Sequence, residues 1–209
     1  MIVQAAAIVT VAGAVAALVV AETRGRRVGA AVAKTVASTG FFVLALLRAQ
    51  ASSSYDRRVL LALGLCLLGD VLLLIPRAFT AGLASFLLGH VAFVAGFCAV
   101  LSPRDWPRLV AAALALAGGA AAVWLWPHLG RLRPAVVAYI AVISAMAWGA
   151  VAAAGRAGWT VGVAGALFYV SDLAVARDRF VIRRFASRAW GRPAYYLAQV
   201  LFALTLGRP

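Results

Sequence analysis

"LLGDVLLL" (67–74) sets one aspartate, Asp70, inside a run of leucine, valine and glycine, and "YVSDLAVA" (169–176) does the same with Asp172. A carboxylate in such a run matters only if the run lies in lipid, so the class of the chain has to be settled first. The 209 residues are 65% hydrophobic and 12% charged, with a mean hydropathy of +0.98. A soluble domain carries about 25% charged residues. The composition therefore predicts a polytopic, all-α membrane protein: a bundle of transmembrane helices in a single membrane-embedded domain, 1–209.

Net charge is +14, from 19 arginines and one lysine against six acids. The arginines sit in short gaps between apolar runs, as topology-setting loop charges do, rather than along one stripe. That distribution argues against nucleic acid as a partner. Cys66 and Cys98 both lie within apolar runs, with no disulfide or metal-ligand spacing. No metal and no cofactor is expected.

A span needs about 20 apolar residues. Eight segments qualify: 2–21, 28–48, 58–76, 79–101, 108–126, 134–154, 159–176 and 193–207. Nothing basic precedes the first, and three arginines follow it, which reads as a helix rather than a signal peptide. Prolines fall in the gaps, with Pro134 and Pro193 at predicted first turns, where proline costs no backbone bond. Trp106, Trp124, Trp126, Trp159 and Trp190 lie at predicted ends, where interfacial aromatics belong, and Trp148 does not. The one sizeable loop, 177–192, is basic and is expected to lie on an anionic leaflet.

Eight spans put both termini on one side. Seven arginines fall on that side: Arg48, Arg57, Arg58, Arg104, Arg108, Arg156 and Arg208. Twelve fall on the other: Arg24, Arg26, Arg27, Arg77, Arg131, Arg133 and the six of 177–192. The positive-inside rule makes the second side cytoplasmic and the N-terminus external. The expected location is a bacterial inner membrane.

An aspartate at mid-bilayer costs about 2.5–3.5 kcal/mol, so such residues usually face a polar cavity and serve function. Asp70 and Asp172 lie on spans that run the same way, both toward the cytoplasmic end. Lys34, His90, Tyr195, Tyr196 and Gln199 come from three other spans and reach the same half. Tyr169 precedes Asp172 by three residues, hence shares its helix face. Two carboxylates meeting in a low-dielectric pocket cannot both ionise comfortably, so the expectation is a pair that shares one proton. That is a general acid beside a carboxylate base, the logic of ether and glycoside cleavage. Lys34 could hold a charged partner or bind phosphate, and His90 could relay a proton.

"LGDVLLL", "FTAGLASFLLGHVAFVAGF" (79–97), "GALFYVSDLAVA" (165–176) and "YYLAQVLFAL" (195–204) together resemble the YhhN-like lysoplasmalogenase family of integral membrane proteins. The order and spacing of the four blocks match as well. The resemblance implies eight helices and hydrolysis of the vinyl ether bond of lysoplasmalogens to a fatty aldehyde and a glycerophospho-base. The matching polar positions are Lys34, Asp70, His90, Asp172, Tyr195, Tyr196 and Gln199, with Thr35 standing where a proline usually follows the lysine.

The residues fit that chemistry. Protonation of the β-carbon gives an oxocarbenium ion, water adds, and the hemiacetal collapses. Such a site needs a positioned acid, a negative charge beside the cation, and restricted water. The assignment is catalytic Asp70, Asp172 and His90, with Lys34, Tyr169, Tyr195, Tyr196 and Gln199 binding substrate. The partners expected are a lysophospholipid and the surrounding membrane lipids, with the oligomeric state left open. The lipid would enter laterally, its phosphate near the cytoplasmic arginines or Lys34. The competing reading is a proton-coupled transporter or lipid-binding protein, since buried Asp and His also build proton relays. Prolines at segment ends, rather than in mid-span, disfavour it.

Overall fold

The computed structural model describes residues 2–182 and 185–207. Arg183, Arg184 and Arg208, three of the loop arginines counted above, lie outside the described residues. Eight α-helices follow in order: α1 Ile2–Thr23, α2 Arg27–Arg48, α3 Ser54–Leu72, α4 Phe79–Val100, α5 Arg108–Leu125, α6 Arg133–Ala157, α7 Trp159–Ala176 and α8 Phe185–Thr205. Among the described residues there is no strand. The all-α bundle expected from the composition is the observed architecture.

Local chemistry sets the turns. Ser53 caps α3, its hydroxyl accepting the Asp56 N–H at 3.1 Å. Gly158 alone separates α6 from α7, at φ +96°, a conformation that L side chains rarely adopt. Pro76, Pro103 and Pro127 begin or lie within short 3₁₀ turns, and Pro134 sits in the first turn of α6.

Arg48, at the end of α2, donates to the Gln4 side chain of α1 at 3.2 Å and to the Leu204 carbonyl of α8 at 3.1 Å. The buried Asp56 carboxylate accepts from the backbone of Gln50 at 2.8 Å and of Gly207 at 2.9 Å. Both termini are therefore at one end of the bundle.

Among the described residues six helical stretches are long and apolar enough to cross a membrane, fewer than the eight expected. α3 and α8 are the two outside that set. α3 opens with Asp56, Arg57 and Arg58 and holds Asp70, and α8 carries Arg188 and Arg192. Both are central: α3 packs against α2, α4 and α8, and α8 against α1, α2, α3 and α7. Protein rather than lipid surrounds much of their surface, which is where polar side chains are tolerated.

The last span was expected to begin at 193 and does not. α8 starts at Phe185, and a π-type turn, Arg177–Val181, extends α7. Much of the expected surface loop is thus helical, and Pro193 lies inside a helix rather than in its first turn. Gly191 draws that segment into the bundle, since a Cβ there would come within 2.6 Å of the Ala174 Cβ on α7.

Trp106 also departs from the interfacial expectation. It is buried, donates to the Leu101 carbonyl at 3.1 Å, and meets Trp148 edge-on at 5.1 Å. Trp148 in turn donates to the Pro107 carbonyl at 3.0 Å, so the odd tryptophan ties α6 to the start of α5.

The interior below the polar level is aromatic. Phe93, Phe97, Phe168 and Phe202 are fully buried, with Phe93 and Phe202 at a centroid distance of 4.3 Å.

Close helix approach gives a test. A Cβ on Gly165 of α7 would collide with the Cβ of Ala150 on α6, whereas Gly119 faces open space. Gly165→Ala should cost about 1–3 kcal/mol, as overpacking does, and lower the melting temperature of the detergent-solubilised protein. Gly119→Ala should leave it unchanged.

Candidate active site

A cavity of about 560 Å³ opens at the end of the bundle remote from the termini. Its walls include Lys34, Asp70, Tyr139, Asp172, Tyr195 and Tyr196, from α2, α3, α6, α7 and α8.

Asp70 is almost fully buried and fully engaged. Its Oδ1 lies 3.1 Å from the Lys34 ammonium. Its Oδ2 accepts from Ser38 Oγ at 2.6 Å and from the Tyr195 hydroxyl at 2.8 Å. Ser38 follows Lys34 by four residues, so both face α3 from one side of α2. The Tyr196 hydroxyl lies 3.3 Å from Ser38 Oγ and 3.3 Å from the Lys34 carbonyl. A charged ammonium and two hydroxyl donors make this the arrangement of an ionised carboxylate.

Asp172 is held differently. Its Oδ2 accepts from the Tyr139 hydroxyl at 2.8 Å and lies 3.6 Å from His90 Nε2. Its other oxygen has no protein partner among the described residues, and the side chain is 16% exposed along the cavity wall. His90 is completely buried, with its ring 4.5 Å from that of Phe168. Its Nδ1 sits 2.7 Å from the Phe86 carbonyl, which can only accept, so Nδ1 carries the hydrogen. Nε2 then either takes a proton from Asp172 or holds one toward it. The 3.6 Å separation is wider than a hydrogen bond, and Nε2 has no hydrogen-bond partner among the described residues.

The carboxylates were expected to meet and share that proton. They do not touch: each has its own set of partners, and what they share is the cavity. The side chain nearest Asp172 besides Tyr139 is a histidine, not a second carboxylate. A nearby lysine gives Asp70 a cheaper way to be buried than sharing a proton would.

Two further candidates lie off the cavity wall. Tyr169 does not line the cavity. A three-residue step leaves a helical offset of about 60°, enough to turn its hydroxyl toward α5, where a Cβ on Gly118 would lie 3.8 Å away. Gln199 is fully buried one turn beyond Tyr195, its amide finds no hydrogen-bond partner among the described residues, and it lies beside the Cys66 thiol.

Tyr139 and Ser38 were missed. Ser38 was legible as the i+4 neighbour of Lys34. Tyr139 carried no such signal, being one of several aromatics near a predicted membrane face.

Nearer the opening, Arg179, Arg188 and Arg192 line the cavity, with Asp178 between them. Arg192 forms an ion pair with Glu22 at the end of α1. Arg188 Nε is 3.5 Å from Asp178 Oδ1. Among the described residues no group of three or more His, Cys, Asp or Glu side chains could hold a metal ion.

The sequence pattern of the YhhN family matches residues 29–206. The chain belongs to the YhhN family. This YhhN-family chain is 35% identical over 136 residues to a lysoplasmalogenase of Mycobacterium bovis, an alignment covering 61% of the chain and 52% of the relative. It is 30% identical over 167 residues to lysoplasmalogenase TMEM86B of Sus scrofa, covering 79% and 70%. It is 32% identical over 158 residues to lysoplasmalogenase TMEM86B of Homo sapiens, covering 74% and 65%. The chain spans about half the length of the mycobacterial relative. No solved structure matches it.

The Lys34–Asp70 pair predicts a non-additive stability effect. Lys34→Met alone strands a buried charge and should cost about 2 kcal/mol, since Lys34 retains some exposure. Adding Asp70→Asn should recover most of that loss. Melting of the two single variants and the double variant in detergent reads the coupling.

Proposed function

We propose that this YhhN-family protein is a lysoplasmalogenase, hydrolysing the vinyl ether of an alkenyl lysophospholipid to a fatty aldehyde and a glycerophospho-base. The observation that carries the reading is one cavity walled by two unlike carboxylates, Asp70 paired with a lysine and Asp172 backed by a histidine. The names of its relatives supply the reaction class.

In this reading Asp172 is the acid. It gives its proton to the β-carbon, and its carboxylate then faces the oxocarbenium ion, the geometry that stabilises developing positive charge. Asp70, kept ionised by Lys34, Ser38 and Tyr195, takes a proton from the attacking water. That proton goes to the glycerol oxygen as the hemiacetal collapses, and the hemiacetal hydroxyl returns one to Asp172. One water is consumed and both carboxyls end as they began. His90 and Tyr139 position Asp172. Tyr195 and Tyr196 shape the wall against the reacting atoms. Tyr169 and Gln199 have no place in this assignment.

The cavity opens at the end carrying the arginine-rich turns, which favours a cytoplasmic opening in a bacterial inner membrane. The lipid tail would lie among the apolar wall residues.

Purified protein should release fatty aldehyde from a lysoplasmalogen. Asp172→Asn and Asp70→Asn should each lower kcat by roughly 10²–10⁴, the range of general acid–base contributions. Absence of aldehyde from the wild type across choline and ethanolamine head groups would sink the hydrolase reading. Full activity in both variants would sink the site.

A further inference from the structure

Among the described residues four cationic side chains line the cavity, and three of them are in ion pairs: Lys34 with Asp70, Arg192 with Glu22 and Arg188 with Asp178. Arg179 remains, near the opening. The Arg179 guanidinium lies over the Phe79 ring, 4.1 Å from its centroid, and no described carboxylate pairs with it. A guanidinium stacked on a ring keeps its N–H edge available for a planar or tetrahedral anion.

Two unmet polar atoms sit alongside. Ser187 is 1% exposed, lines the cavity, and its Oγ has no hydrogen-bond partner among the described residues. Arg188 Nε is buried and also without a hydrogen bond, though it keeps ion-pair distance to Asp178. An unsatisfied buried hydroxyl is destabilising, and a ligand oxygen would satisfy it. Ser187 and Arg188 stand in the first described turn of α8.

From this we infer that Arg179, Ser187 and Arg188 form a phosphate subsite that takes the monoanionic phosphodiester of a lysophospholipid head group. The inference rests on the lysoplasmalogenase reading of the same cavity. It separates head-group recognition at the opening from bond cleavage at the carboxylates deeper in. Lys34, the other phosphate ligand expected from the sequence, is held by an ion pair with Asp70.

The test uses the full-length protein in detergent and three probes that cannot be cleaved: a saturated 1-O-alkyl lysophosphocholine, the matching 1-O-alkylglycerol without phosphate, and inorganic phosphate. Arg179→Gln should weaken binding of the phospholipid about tenfold and Ser187→Ala about threefold. Neither should change binding of the alkylglycerol. Arg179→Lys should fall between, because it keeps charge but loses the fork of donors. Arg179 is exposed, so its variants should fold. With lysoplasmalogen as substrate, Arg179→Gln should raise KM and leave kcat unchanged.

Equal phospholipid affinity in the wild type, Arg179→Gln and Ser187→Ala would overturn the subsite. Displacement of the phospholipid by millimolar inorganic phosphate would assign the site to free phosphate and overturn its head-group role. Failure of aldehyde release would remove the hydrolase reading while the binding comparison still decides the subsite.

Discussion

The bundle is organised around the need to keep a carboxylate charged inside a membrane. An aspartate at the bilayer centre costs about 2.5–3.5 kcal/mol. A hydrogen bond to a charged group returns about 1.5–3 kcal/mol, so a single donor would leave Asp70 near break-even. Asp70 has three, and they come from two other helices: Lys34 and Ser38 on α2 and Tyr195 on α8. Satisfying that one side chain holds α2, α3 and α8 together. It also accounts for the central place of α8, the helix whose arginines would otherwise send it to the surface.

Asp172 meets the same cost with less. One tyrosine hydroxyl and one imidazole attend a single oxygen, while the other borders the cavity. The contrast is one of surroundings: Asp70 is satisfied by a fixed ionic network, and Asp172 is left with an open side. Beneath them the packing is apolar. The His90 ring leans on Phe168, and Phe168 and Phe202 both contact Phe93. A dry floor of this kind strengthens every electrostatic contact above it. Within the proposed reaction, water and head group share the arginine-lined opening, and the tail has the apolar walls.

Several features were legible from composition and spacing because they are local. Apolar runs long enough to span, glycine and proline at the turns, and the odd aspartates are all one-dimensional signals. The beginning of α8 was not, because Arg188, Gly191 and Pro193 read locally as a loop. Gly191 becomes helical through its fit against Ala174, a contact made by a different helix. Tyr169 and Gln199 lie away from the cavity for a related reason: helical spacing says which residues share a face but not which neighbour that face meets. Tyr139 could not be picked out at all, since its significance lies wholly in reaching Asp172 across a helix interface.

The sequence alone determined that this is a helical membrane protein and that Lys34, Asp70, His90 and Asp172 need explaining, because the cost of placing such groups in lipid depends only on their identity and surroundings in the chain. Only the tertiary structure decided who partners whom. It gave Asp70 to a lysine and Asp172 to a histidine instead of to each other. Partner choice depends on the rotation and depth of packed helices, which are set by side-chain volumes on both faces of every contact and by no single segment.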